Sequence, residues 1–403
     1  MRIWTALVAG VALAGLGSMA AAQNAPAAPP AAQPQPRNPF QSEPLGEGPW
    51  DIQTADAKLH VEVLTRGLDH PWGLAFLPNG DMLVTERPGR LRRIAADGEV
   101  SAPLAGVPEV WAHGQGGLLD VVLDPGFAQN RRIWLSYAEP GPDGTAGTAA
   151  AYATLGDAAI DAVRVVYRQQ PKLAGPNHFG SRIAFDHDGH VFISQGERFD
   201  KMRAQQLDML QGKLVRLAVD GSVPADNPFV DRADARPEIW SYGHRNMQGL
   251  AVDPLTGVLW QSEHGPRGGD ELNLPEAGKN YGWPIISHGM DYGSNRPYPE
   301  TIGTDAPGME APYHVWPKSP GLSGMAFVRS QPGSPWNDSL FLGALADRNL
   351  VRLSLDGNAI VAEERLLQDL GERIRDVRVD GEGAVYVLTD AEDGKLLRVI
   401  PKL

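Results

Sequence analysis

The chain has 403 residues, 36 of them basic and 49 acidic, a net charge of −13, 46 glycines, 34 prolines and no cysteine. Without cysteine there is no disulfide framework, zinc–thiolate or iron–sulfur site, or thiol nucleophile, so any metal must be held by oxygen or imidazole. The acidic balance argues against nucleic acid, whose binding needs a basic face, and points to small molecules and cations as partners.

In chain order, residues 1–22 read as a secretory signal peptide: Arg2, an apolar stretch from Ile3 to Leu16, then Ala20-Ala21-Ala22 before Gln23. The alternative, a membrane anchor, needs roughly 20 apolar residues, and the run is shorter. No later segment is long and apolar enough to span, so no membrane span is expected in the mature chain. Residues 23–48, rich in Ala, Pro and Gln, cannot build a core and are expected to form an extended tether. Folding is expected to start near Trp50, giving a domain over 49–403. An exported chain without cysteine, behind a bacterial-style signal, suggests the periplasm.

From residue 73 one pattern recurs: a small residue, alternating apolar residues, a Pro/Asp/Gly turn, then a second alternating run. It appears at 73–85, 117–136, 181–194, 249–262, 323–343 and 374–389. Period-two alternation on both sides of a glycine-containing turn predicts an antiparallel hairpin. Each copy is often followed by another strand-like run, such as KLVRLAV or KLLRVI. Six such units predict an all-β fold, a six-bladed β-propeller of four-stranded antiparallel blades. The run LHVEVL, 59–64, is expected to pair with KLLRVI and close the ring. A pair of β-sandwiches is the competing architecture, but it does not require six similar hairpins. Helical periodicity is nearly absent; AQQLDMLQ, 204–211, is at most a short helix in a loop.

Five polar clusters flank these runs. WAHGQGGLLD carries Gln115 among glycines that permit close backbone approach, or it is simply a glycine-rich strand entry. GPNHFGSRIAF places His178 before a strand, where a neutral imidazole can act as a general base or as a hydrogen-bonded structural residue. Glu197, past the same hairpin, would orient that imidazole or stand as a solvated loop acid. IWSYGHRNMQGLAV crowds His244, Arg245, Asn246 and Gln248 against a strand, costly unless they meet one another or a ligand. Arg245 is the candidate to stabilise developing negative charge. QSEHGPRGGDELNLPEAGKNYGWP combines turn carbonyls with Glu263, Asp270 and Glu271, a donor set suited to calcium and not zinc. In ERIRDV, Arg373 and Arg375 either clamp a carboxylated ligand or form a surface charge pair.

Together NHFGSR, YGHRNMQGLA, SEHGPRGGDELN, KNYGWP, SGMAF and RIRDV resemble the soluble pyrroloquinoline-quinone-dependent aldose sugar dehydrogenases of the glucose/sorbosone dehydrogenase superfamily, from about residue 60 to the C-terminus. The resemblance implies a quinone (PQQ) and calcium (Ca2+) as cofactors. It also implies oxidation of the C1 hydroxyl of an aldose sugar to the lactone, and an external electron acceptor. It makes His178 the general base with Glu197 paired to it, Arg245 the group polarising the quinone carbonyl, and Gln115 and Asn246 cofactor contacts. Tyr292 and Trp316 become walls of the cleft, and Arg373 and Arg375 the pair that binds the quinone carboxylates. The carbonyls of Gly265 and Pro266 become calcium ligands, with Glu271 and the Tyr281 carbonyl at a second calcium site. The family's cofactor-binding lysine is replaced here by Ala346, with Arg348 two residues on. Two other readings remain: a calcium-dependent propeller lactonase, which demands converging carboxylates around a metal-bound water, and a non-catalytic binding propeller.

Overall fold

The computed structural model describes residues 47–54 and 57–402; the signal peptide and nearly all of the tether lie outside the described residues. Each of the six expected hairpins forms, and each opens an antiparallel sheet whose first strand is innermost. Blade 1 comprises Pro71–Phe76, Met82–Glu86 and Arg90–Ile94; blade 2 Leu118–Leu123, Arg132–Pro140, Ala146–Leu155 and Ile160–Arg168. Blade 3 comprises Gly180–Phe185, His190–Gln195, Lys213–Ala218 and Ile239–Tyr242; blade 4 Met247–Val252, Leu259–Glu263, Asp270–Asn273 and His314–Trp316. Blade 5 comprises Leu322–Val328, Ser339–Ala344, Asn349–Asp356 and Ala359–Leu366; blade 6 Ile374–Val379, Val385–Thr389 and Gly394–Lys402, completed by Lys58–Leu68. The fold is a six-bladed β-propeller.

The ring closes as the sequence predicts, with His60 opposite Ile400 and Val61 opposite Val399. Two details differ. Trp50–Gln53 adds a fifth strand outside Lys58–Leu68. In blade 1 the fourth strand shrinks to a single bridge between Ile94 and Val100, because the tight turn at 97–98 returns the chain for only a few residues before Pro103. The short helix expected at 204–211 is instead a single 3-10 turn, Lys201–Gln205.

Alternating apolar residues meet between neighbouring blades at every boundary. Leu83, Leu118 and Ile133 pack between blades 1 and 2, Trp260, Met325 and Leu340 between 4 and 5, and Leu74, Val84, Leu388 and Leu396 between 6 and 1. Each fully buried side chain of this size contributes roughly 1.5–3 kcal/mol, so the closing boundary is held by the same force as the others.

All six inner strands carry a register shift near their start, and such bulges re-aim side chains. Beside the shifts, hydroxyls stitch blade to blade: Ser136 donates to the Ser181 carbonyl at 2.5 Å and Ser323 to the Ile374 carbonyl at 2.7 Å. The equivalent axial positions differ in size. Asp120, Arg182 and Asp376 project inward, while Gly73, Gly249 and Gly324 make room; a Cβ on Gly324 would lie 2.0 Å from Asp376 Oδ1. The axis is thereby filled by a buried ion cluster. Arg182 meets Asp376 at 3.0 Å and Asp120 at 3.2 Å, and Arg378 meets Asp120 at 2.8 Å and Asp376 at 3.3 Å.

Candidate active site

His178 sits in the loop that enters the inner strand of blade 3, nine-tenths or more buried, with Nδ1 2.6 Å from Glu197 Oε2. A carboxylate on Nδ1 holds the proton there and leaves Nε2 as the basic nitrogen. Burial lowers the imidazole pKa most, Glu197 raises it, and Arg245 and Arg198 lower it further. The net direction is down, so the ring stays neutral at neutral pH. The His178 backbone is left-handed, φ 57°, a conformation that costs a non-glycine residue about 1–3 kcal/mol and persists only where surroundings enforce it. Three contacts do so. Gln115 Oε1 accepts the His178 N–H at 2.8 Å. Arg198 donates to the carbonyls of Asn177, at 2.8 Å, and Gly175. Gly196 lies flat on the His178 peptide, where a Cβ would be 2.0 Å from the carbonyl oxygen. Gln115, itself exposed, thus supports the loop of the candidate base.

Arg245 and Asn246 enter the inner strand of blade 4 beside this dyad, and the Glu197 N–H donates to the Arg245 carbonyl at 3.0 Å. Glu263 fixes their backbone: it accepts from the Arg245 N–H at 2.5 Å and sits 3.0 Å from His244 Nδ1. The Arg245 guanidinium donates to the carbonyls of His264, at 3.0 Å, and Gly265, at 2.6 Å, and its Nε is buried without a partner. Asn246 Oδ1 accepts from Gly180 N–H at 3.2 Å while its Nδ2 is also buried and unpartnered. Buried donors left open beside a cavity are costly, and they point to a ligand carrying acceptors.

Arg373 precedes the innermost strand of blade 6 and Arg375 lies within it, so the register shift in this strand replaces the simple alternation expected. Both still converge, on Asp390: Arg373 Nη2 at 2.9 Å and Arg375 Nη2 at 3.0 Å. Burial raises the Asp390 pKa, but Arg375, His70 and Arg373 outweigh it and hold the carboxyl well below its usual range. Arg375 also donates to Gln248 Oε1 at 3.0 Å, and its Nε is buried without a partner. Asp390 was not among the expected site residues. Its signal lay in the repeat: an acid stands at or just past the second strand of the hairpin at Glu86, Glu197, Glu263 and Asp390.

A small cavity between blade 4 and the following loop is lined by Arg245, Glu263, Gly265, Pro266, Glu271 and Tyr281 among others. Its room for the centre of a water-sized sphere is about 10 Å³, enough for one water or one cation. Glu263 and Glu271 face each other across adjacent strands. Burial and the Glu263 charge push Glu271 well above its ordinary pKa. Among the described residues no group of three or more His, Asp or Glu is arranged to hold a metal. The Pro266 carbonyl accepts from Tyr292 Oη at 3.0 Å, which brings half-exposed Tyr292 to this loop. Tyr281 is buried, stacked on His244 at 4.8 Å.

Trp316 departs from expectation. It lies on the outermost strand of blade 4, its ring is buried in the core between blades 4 and 5, and its Nε1 donates to Glu363 at 2.9 Å. That environment makes it a packing residue. Ala346 is exposed on a turn, and Arg348 donates to the Gly371 carbonyl at 3.2 Å, next to the segment bearing Arg373.

The chain matches the Glucose / Sorbosone dehydrogenase family over residues 68–398. It is 53% identical to the aldose sugar dehydrogenase YliI of Escherichia coli (strain K12) over 354 residues, 87% of this chain and 95% of that protein. A crystal structure of a glucose dehydrogenase superposes with a TM-score of 0.83 at 56% identity, covering 85% of this chain and 99% of the other. The PQQ-bound aldose sugar dehydrogenase of Streptomyces coelicolor superposes with a TM-score of 0.70 at 29% identity, covering 85% and 99%. These likenesses run through all six blades and the polar loops that gather His178, Arg245 and Arg375, and on them the chain belongs to the glucose/sorbosone dehydrogenase family, as an oxidoreductase.

Proposed function

We propose that this protein oxidises aldose sugars at C1 to the lactone with pyrroloquinoline quinone as bound electron acceptor and calcium beside it, in the periplasm. The observation that carries the reading is the buried His178–Glu197 dyad in the loop beside Arg245 and Asn246, each of which keeps an open donor. The residues fit the quinone. It is a planar tricarboxylate, and Arg245 has no carboxylate partner within ion-pair distance among the described residues, while Arg375 keeps an unsatisfied Nε. Arg373 and Arg375 would hold carboxylate groups, Asn246 and Arg245 ring acceptors, and the Gly265 and Pro266 carbonyls a calcium ion. Both carbonyls already accept one hydrogen bond, and each retains a second lone pair. Bound there, the quinone supplies the two-electron acceptor for the C1 hydride.

His178 Nε2 takes the proton of the C1 hydroxyl, so the C1–O bond gains double-bond character as C1 loses its hydride. Glu197 keeps Nδ1 protonated throughout and stabilises the imidazolium that forms. Burial holds the base neutral, and therefore able to accept, at neutral pH. Arg245 would favour electron density arriving on a bound acceptor, because its charge is not answered by a carboxylate among the described residues. The likeness to a PQQ-bound relative supports this choice of cofactor, and the leader-like first 22 residues support export. Turnover then requires an external acceptor to remove the two electrons.

Purified protein supplied with quinone and calcium should show a change in visible absorption when an aldose is added, and aldose-dependent dye reduction. Bound quinone with no response to a panel of aldoses would defeat the proposal.

A further inference from the structure

The loops bearing His178, Arg245 and Arg373 precede the inner strands, so the hairpin turns that follow those strands lie on the opposite face of the ring. On that face a cavity of about 410 Å³ opens between blades 1 and 2, within the range of small-molecule sites. It is bounded by the hairpin turn of blade 1, by the short helix Phe127–Asn130 and by the turn that follows Ala146–Leu155. Leu77, Phe127 and Leu155 line it and belong to the core between the two blades. One wall is therefore apolar. Two arginines line it as well. Arg93, on the third strand of blade 1, donates from Nη2 to the Gly156 carbonyl at 2.9 Å, and its Nε is buried without a partner. Arg131 donates from Nε to the Leu155 carbonyl at 2.9 Å, and its own carbonyl accepts the Leu155 N–H at 2.8 Å. Two consecutive carbonyls thus bring both guanidiniums to one turn. Neither has a carboxylate within ion-pair distance among the described residues, although their chain neighbours do: Arg92 meets Glu86 at 3.2 Å and Arg132 meets Asp124 at 3.6 Å. Asp157 is the one acid among the lining residues, against the two arginines, in a chain whose net charge is −13.

A guanidinium bound only to carbonyls keeps its full charge, and a donor buried without an acceptor is costly. An apolar wall beside two such groups suits a flat apolar body ending in a carboxylate, which arginine forks hold by paired hydrogen bonds. We infer that this cavity binds a small amphiphilic carboxylate, on a face that the proposed sugar chemistry does not use. The inference stands apart from the redox reading, since none of the residues assigned to that chemistry takes part.

The test is calorimetric titration of the full chain with naphthoate, repeated in the presence of quinone and calcium. Neutral naphthalenemethanol and inorganic phosphate present the apolar body and the anion separately. Naphthoate should bind at least about tenfold more tightly than either control, with an affinity that quinone and calcium leave unchanged. Arg93→Gln retains an amide donor, and Arg131→Gly suits the left-handed backbone at this position, φ 52°. Each variant should keep the native circular dichroism and weaken naphthoate binding by about tenfold. Binding of naphthoate that both variants leave unmoved, or that quinone abolishes, would place the probe elsewhere and overturn the proposal. Equal binding of the alcohol would reduce the cavity to an apolar cleft and equal binding of phosphate to a bare anion site, and either result would overturn it too.

Discussion

Two buried groups of arginines in this propeller look alike in sequence and behave differently in space. At the axis, Arg182 and Arg378 each meet both Asp120 and Asp376, two cations against two anions. At the mouth, Arg373 and Arg375 share Asp390, and Arg245 donates to carbonyls. The axial group neutralises itself and fills space that three glycines leave. The mouth group keeps donors open beside a base. A buried arginine is therefore evidence of a ligand only when its charge is not answered from within the fold.

The largest expected effect on the mouth is at its base. His178→Ala should lower kcat by about 10²–10⁴ while quinone affinity, read by titration, stays unchanged; undiminished turnover would remove the dyad from the chemistry. The comparison itself breaks or holds on stability. Arg182→Leu leaves Asp120 and Asp376 to share Arg378 alone, with one buried negative charge unanswered, and should cost about 3–5 kcal/mol in denaturant unfolding. Arg245→Leu, which strands only carbonyls, should cost about 1–3 kcal/mol. Equal losses would erase the distinction between the two groups.

Glu197→Gln comes next, with a fall in kcat of about 10–100-fold. It also carries a pH signature. The base works deprotonated, so activity is present above its pKa and lost as pH falls through it. Burial already lowers that pKa, and the Glu197 charge opposes the lowering; removing the charge should move the acid limb to still lower pH. An upward shift would contradict the assignment. The smallest effect is expected from Ala346→Lys, which adds a cation on the turn whose Leu345 carbonyl accepts from Arg373 at 2.9 Å. Quinone should bind more tightly, by about tenfold for one added charge-assisted bond. An unchanged dissociation constant in calcium-containing buffer would mean that Arg348 or another cation already fills this place.

Much of this was legible before any coordinates. Period-two alternation around six glycine turns is a local property, and all six hairpins and the closing pair of Lys58–Leu68 with Gly394–Lys402 follow from it. The polar loops ahead of the inner strands also stood out, since His178, Arg245 and Asn246 interrupt apolar runs. Trp316 misled because an aromatic at a strand end reads the same whether its ring faces a cleft or a core, and only the neighbouring blade decides.

Chain order alone determined the blade count, the all-β class and the residue types available for catalysis, because alternation and turn chemistry act over a few neighbours. Which arginines are neutralised and which donors stay open were decided by the ring, since charge and burial depend on groups hundreds of residues away. Asp376 answering Arg182 is the plainest case: nothing near either residue in the chain announces the other.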